Sequence, residues 1–467
     1  MPQLRKANKS QTVENATSKS KTTTTILYGS ETSKALTNFT LSDLKMPRAF
    51  LWALATVKSA CAQANQELGL LHADKSVAIQ LAAKEIADGL HDNQFPVDVF
   101  QTGSGTSTNM NANEVITALV KINSNNTINL HPNDDVNMGQ SSNDVIPSCI
   151  HLSAAKLISA QLLPSLKHLS DALTKKASEH HDTIKTGRTH LMDAMPLSFA
   201  QEISGWRAQV DYAYSQLNNS LASLYKLAIG GTAIGTGINT HTDFAATVTR
   251  VLTQRTGLVF TPADNYFRAI SAQDTAVDVS GTLKTIAVSL TKISNDIRWL
   301  SSGPLNGLNE IQLPELQKGS SIMPGKVNPV IPEAVLMACT QVIGNDTTIT
   351  LAGQSGSFQL NTMLPLIAHT LVQSIELLSS SSTALADKVI NDMLINHAKI
   401  KDNLAKNPML VTALTKLIGY DKSAQIAKKA YAENRTVLAV AMELTNISET
   451  ELTTLLDPKQ LIGTSVK

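Results

Sequence analysis

Ala276, Val279, Leu283, Ile286, Leu290, Ile293, Ile297 and Leu300 follow one another at alternating steps of three and four residues. An apolar seam of more than three heptads leaves a chain few ways to fold. Residues at that spacing share one face of an α-helix, and the face must be covered by another of the same kind. The period returns at Phe199, Ile203, Trp206, Val210, Ala213 and Leu217, passes a polar position at Ser220, and ends at Leu224. Shorter versions run through Ile158, Leu162, Leu166, Leu169 and Leu173, and through Leu364, Ile367, Leu371 and Leu378. The spacing predicts helices up to roughly 40 Å long, packed side by side at shallow angles. Ala and Ser are frequent on the other faces, which suits further close packing, between subunits included. Strand signals are few. The expected fold is all-α, built on a long bundle.

Outside the seams, residues 41–89 also read as helical, with breaks near Gly69 and Gly89. After residue 391 the pattern shortens to pieces such as 419–433 and 448–456, the latter opening on the capping-box pattern Ser-Glu-Thr-Glu. A small C-terminal domain is expected there. Residues 1–25 are rich in Lys, Ser, Thr and Asn, and lack the apolar core of a secretory signal. Lys predominates over Arg and no amphipathic pattern appears, so a flexible start is expected rather than an organelle address.

Charge and composition exclude several functions. The 467-residue chain sets 39 Lys plus Arg against 38 Asp plus Glu, so no net field favours nucleic acid or an anionic membrane. Aromatic residues make up 4%, which argues against stacking platforms for single strands. Nothing approaches about eighteen consecutive apolar residues, so no helix is expected to span a bilayer. Cys61, Cys149 and Cys339 sit in mostly apolar contexts and are expected to be small buried residues of a reducing compartment. The sequence has no HExxH, CxxC or EF-hand pattern, and neither a metal nor a cofactor is expected.

Candidate chemistry lies in polar breaks between the helices. Residues 101–113 read Gln-Thr-Gly-Ser-Gly-Thr-Ser-Thr-Asn-Met-Asn-Ala-Asn, with almost nothing to bury. Residues 131–144 read His-Pro-Asn-Asp-Asp-Val-Asn-Met-Gly-Gln-Ser-Ser-Asn-Asp. Each alone is a solvated loop or a helix cap; together they suggest walls of one polar pocket. Residues 186–201 place His190 beside Arg188 and Thr189, before a long helix. Histidine can exchange a proton near neutral pH, although it could equally brace a helix start. Residues 230–240 form another glycine-rich break, with no strand before it to make a dinucleotide fingerprint.

The most irregular break is 319–329, Gly-Ser-Ser-Ile-Met-Pro-Gly-Lys-Val-Asn-Pro. Its glycines admit backbone angles closed to other residues, and its prolines stiffen what lies between. Two hydroxyls, an ammonium and an amide on such a loop suit binding a small anion and moving a proton. It is not a phosphate-binding P-loop, which needs four residues between its glycines and Ser or Thr after the lysine. Here five residues separate Gly319 from Gly325, and Val327 follows Lys326.

Residues 319–329 resemble the signature of the fumarase/aspartase superfamily. Segments 102–113, 131–144, 186–194, 230–240, 295–303 and 419–430 are similar to class II fumarate hydratases, in the same order. The resemblance implies three domains: 26–138, a central five-helix bundle over 139–394, and 395–467, after a flexible segment 1–25. It also implies a homotetramer with a twenty-helix core, each active site drawing on three subunits. Aspartate ammonia-lyases are the alternative within the superfamily, but they typically carry glutamine and alanine where this chain has His190 and Gly325. A non-catalytic structural protein on the same scaffold is the alternative from another class; Ser320, Lys326, Asn328 and His190, all present, speak against it.

The implied reaction is reversible hydration of fumarate to L-malate, in the cytoplasm or in a mitochondrion, with no nucleic-acid or membrane partner. Ser320 would abstract the carbon-bound proton, and His190, oriented by Glu333, would serve the oxygen side. Lys326 and Asn328, with Ser321 and Val327 beside them, would hold the aci-carboxylate. The other carboxylate would be held by Ser104, Gly105, Thr106, Ser141, Ser142, Asn143 and Thr189. A secondary carboxylate site is implied at His131, Pro132, Asn133 and Asp134, although Ile128 stands where some members carry arginine.

Overall fold

The computed structural model describes residues 25–317 and 321–463. Ser320 and Gly319 of the glycine-proline loop, and all but the last residue of the 1–25 segment, lie outside the described residues.

Long helical elements dominate. A continuous rod, Ser142–Glu179, is followed by helices Phe199–Leu224, Asp274–Leu300, Val330–Gly353 and Leu364–Leu385, which pack along one another as a five-membered bundle. Every seam residue of Asp274–Leu300 is buried, and so are those of Phe199–Leu224, Ser220 included. Each fully buried Leu or Ile contributes about 1.5–3 kcal/mol, so the seams dominate the stability of the bundle. Val330–Gly353 carries no long seam. It buries Val335, Cys339, Val342 and Ile349 but exposes Met337, Ile343 and Leu351.

The rod is interrupted by a π-turn at Ile158–Leu162, where the seam read from sequence begins. By length and composition the rod could cross a membrane, contrary to the sequence expectation, but 72% of its apolar stretch is buried inside the protein. Its apolar residues serve the core.

The start of each key helix follows from local chemistry. Ser141 caps the rod: its Oγ accepts from Asn143 N at 3.2 Å, while Asp144 Oδ1 accepts from Ser141 N at 2.9 Å. Ser198 and Gln201 form the same reciprocal box before Phe199. Arg48–Glu67 and Ala73–Ala87 form an antiparallel pair packed against the rod, and Gly69 and Gly89 follow them as the sequence suggested.

The chain is not purely helical. Ile184–Thr189 and Met192–Ser198 pair as an antiparallel hairpin, with Thr189 opposite Met192. The other strands are two residues long. A second small core, including Leu404, Leu414, Ile426, Val440 and Leu452, organises the C-terminal helices apart from the main core.

A few contacts fix the polarity of the bundle. Leu364 N donates to Gly103 O at 3.0 Å, so Leu364–Leu385 begins near the start of the rod. Lys176 Nζ donates to Asn391 O at 3.0 Å, which puts the far end of that helix at the far end of the rod. Glu310 N donates to Leu300 O, and Glu310 pairs with Arg188 of the hairpin. Lys284 Nζ meets Asp346 at 2.6 Å and Gly353 lies against Val277, so Val330–Gly353 runs antiparallel to Asp274–Leu300 and begins at the hairpin end.

Candidate active site

Most of the candidate residues fall into two groups. At one end of the bundle, the helix Thr106–Asn123 starts beside the start of the rod. Gly105 precedes the first helix at φ +74, in the left-handed region, and a Cβ there would lie 2.9 Å from Ile146 on the rod. No larger residue admits so close an approach. Ser104 Oγ and Thr106 Oγ1 share a hydrogen bond at 2.8 Å, and Ser141, Ser142 and Asn143 form the adjacent turn. Two helix N-termini lie side by side, the setting in which a carboxylate is held, and local caps take the Ser107, Thr108 and Asn143 N–H groups.

The tract 101–113 departs from the expectation that it has nothing to bury. From Thr106 it is helical, and Thr108, Asn109, Asn111 and Asn113 are buried. Asn109 Nδ2 reaches Ser142 Oγ at 3.1 Å and Asn137 Oδ1 at 3.2 Å, tying the two helix starts together. The asparagines look like loop residues in sequence because their polar partners come from elsewhere.

The glycine-rich break after residue 229 packs beneath the same turn. Asp144 Oδ2 accepts from Gly230 N and Thr232 N, both at 2.9 Å, and Asn143 Nδ2 donates to Ala233 O at 2.7 Å. Burial pushes the Asp144 carboxyl up to about 6, against the pull of three backbone donors. Lys58 lies deeper still, fully buried and hydrogen-bonded to Asn137 and Gln140. Sequence reading missed it. The available signal was a lone lysine in the apolar run Leu51–Ala64.

His190 stands at the other end. It is not at a helix start: with Leu191 it forms the two-residue tip of the hairpin, at φ +56 and +62. Positive φ at both positions is the primed turn that suits hairpin twist, but it favours Asn and Gly over His and Leu. Thr189, His190 and Leu191 are exposed. The base of the hairpin is rigid by contrast. Lys185 is fully buried and pairs with Glu202 and Glu310 at 2.8 Å each, and Arg188 pairs with Glu310 as well. Burial works upward on the Glu310 carboxyl, yet the two cations hold it below its ordinary value. From the C-terminal part of the chain, Asn407 Nδ2 donates to Ala194 O at 2.8 Å and Thr186 Oγ1 at 3.3 Å, touching both strands.

The described part of the glycine-proline loop lies at this same end. Ser321, Lys326 and Val327 are exposed, Asn328 is half-buried, and Gly325 takes φ +79. Glu333 lies exposed in the first turn of Val330–Gly353. Among the described residues no hydrogen bond or ion pair joins Glu333 to His190. At 1.5 Å per residue the 38-residue rod is about 57 Å long, so it holds the 141–143 turn and His190 far apart within one chain. His131 belongs to neither group; it caps the π-turn Pro132–Val136 by accepting from Asp134 N at 3.1 Å.

Residues 19–344 match a family profile described as "Lyase", and residues 410–463 match one described as "Fumarase C C-terminus". The chain is 52% identical over 435 residues to the fumarate hydratase class II of Xylella fastidiosa, covering 93% of this chain and 92% of that protein. It is 53% identical over 437 residues to "Fumarate hydratase class II 2" of Pseudomonas aeruginosa, covering 94% and 95%. The chain belongs to the class II fumarate hydratase family. Among solved structures of the family, the class II fumarase of Schistosoma mansoni superposes with a TM-score of 0.90 at 39% identity, covering 94% of this chain and 96% of that one. Membership makes the chain a lyase with the all-helical fold of that family.

Proposed function

We propose that the chain catalyses the reversible anti addition of water to fumarate, giving L-malate, the hydration step of the citric acid cycle. The observation that carries this reading is 52–53% identity to class II fumarate hydratases over more than nine-tenths of the chain. The site chemistry agrees. In the malate direction Ser320 removes the proton beside a carboxylate, and the electron pair enters that carboxylate to give a doubly charged aci form. Fixed donors stabilise such charge most effectively, and Lys326 and Asn328, with Ser321 and Val327 adjoining, are assigned to it. His190 protonates the departing hydroxide to release water, and Glu333 orients it. The second carboxylate sits on Ser104, Gly105, Thr106, Ser141, Ser142, Asn143 and Thr189.

A homotetramer accounts for the separation of these groups along the rod. Exposed apolar residues on the bundle helices, among them Met337, Leu351, Val288 and Trp299, support burial of this surface between copies. Helical domains 26–138, 139–394 and 395–467 would then place the parts of each site, drawn from three subunits, in a cytoplasmic enzyme. A secondary carboxylate site at His131, Pro132, Asn133 and Asp134 remains a proposal.

The test follows fumarate's ultraviolet absorbance with either L-malate or L-aspartate supplied. Malate is expected to raise the absorbance and aspartate to leave it flat. The reverse pattern would make the chain an ammonia-lyase, and silence with both would leave a scaffold without turnover.

A further inference from the structure

We propose that Lys58 is a positioning residue of the dicarboxylate site: a buried ammonium that fixes the 137–143 turn from beneath and sets a positive charge behind Ser141, Ser142 and Asn143. The inference rests on the reading of those three residues as the holder of one substrate carboxylate.

Lys58 is fully buried in the helix Arg48–Glu67, beside Cys61 of its own helix and Cys149 of the rod. A buried ammonium is costly and is retained where it is well paired. Its partners are neutral amides: Asn137 Oδ1 at 2.8 Å and Gln140 Oε1 at 2.9 Å. Among the described residues no carboxylate lies within ion-pair distance of it. Asn137 Oδ1 also accepts from Asn109 and Asn113, and Asn109 donates to Ser142 Oγ at 3.1 Å. Gln140 directly precedes Ser141. The ammonium therefore governs the turn through two routes, and the carboxylate that acts on it, Asp144, does so from beyond ion-pair distance. A dicarboxylate dianion at the turn adds negative charge that the ammonium attracts.

The surrounding charges leave this role to Lys58. Cys61 on its own helix and Cys149 on the rod are pushed up by burial, far above the ordinary thiol range, and stay neutral. Asp144 on the rod acts on Lys58 only at a distance and is committed to three backbone donors. Lys75 on the neighbouring helix faces Asp135, and Arg255 of the helix Phe244–Thr256 reaches Ser59, Gln63 and Gln80. Leu364–Leu385, also packed on this helix, carries His369 and Glu376. Burial draws the Lys58 ammonium down to about 8. A bound dianion favours the charged form, so affinity is greatest below that value and falls as the free protein loses the proton.

The experiment titrates succinate, a four-carbon dicarboxylate that cannot react, into wild type, Lys58→Gln and Lys58→Met from about pH 6.5 to about 9.5. Malate kinetics run alongside. Wild-type Kd is expected to rise about tenfold over the alkaline limb. Both variants should bind about tenfold more weakly at neutral pH, with a flat profile and with the loss in KM rather than kcat. Glutamine, which can still donate to the amides, should not rescue. A Lys58→Gln variant with wild-type affinity and pH dependence would overturn the proposal. If neither variant folds, a flat wild-type profile overturns it. Wild type that turns over no malate and binds no succinate defeats the underlying site reading instead.

Discussion

His190 and Leu191 hold left-handed backbone at a hairpin tip where neither side chain is at ease. Such strain persists when the surroundings impose it, and here the ion-paired base of the hairpin does so. His190→Asn keeps a residue that tolerates the turn while removing the imidazole proposed to carry a proton. It should lower kcat by about a hundredfold or more with the thermal unfolding midpoint unchanged. Lys326→Ala, on an exposed loop, should cost about a hundredfold in kcat at unchanged stability, because its assigned work is on charge that develops in the reaction. Stopped-flow or absorbance assays beside circular dichroism melts check both. Asp144→Ala should behave oppositely. It strands the N–H groups of Ser141, Gly230 and Thr232 and should cost about 3 kcal/mol in urea unfolding. The sequence marked His190 and Lys326 because their chemistry is unusual for a loop. It could not mark how deeply Asp144 is tied in, since two of its three donors come from a break some 86 to 88 residues away.

At the scale of elements, the helices with seams were legible and the hairpin was not. A seam repeats over many residues and registers against any partner, whereas the hairpin pairs few residues and is held by Lys185, Glu202, Arg188 and Glu310 from scattered positions. Glu310 compensates the buried Lys185 and the half-buried Arg188, so Glu310→Gln should destabilise the fold by about 3 kcal/mol at neutral pH. The pH dependence follows from its depressed folded-state pKa. The stabilisation is present above the ordinary value of 4.5 and is lost as pH falls through the lower folded value. Wild type and Glu310→Gln should therefore converge in stability as the pH drops below 4.5, measured by chemical unfolding.

Over the whole molecule, the rod separates the 141–143 turn from the hairpin and the described part of the glycine-proline loop by most of the length of the bundle. If sites form between copies, two inactive variants can repair each other. Mixing His190→Asn with a chain altered at Ser141 and Ser142, then reassembling them, should restore about a quarter of wild-type activity, since random mixing joins two intact halves at that frequency. Recovery no greater than the sum of the separate variants would place each site within one chain.

The sequence by itself determined the class of fold, because a three-four apolar period admits helix-on-helix burial and little else. It also determined which polar residues stand apart from that pattern. Only the tertiary structure decided that Asn109, Asn113 and Lys58 are buried supports rather than solvated side chains, and that His190 rides a strand turn. It alone decided that the candidate groups occupy opposite ends of the bundle. Periodicity is a property of one helix and can be read along the chain, whereas the partner of a buried charge is fixed by which distant segments the packing brings against it.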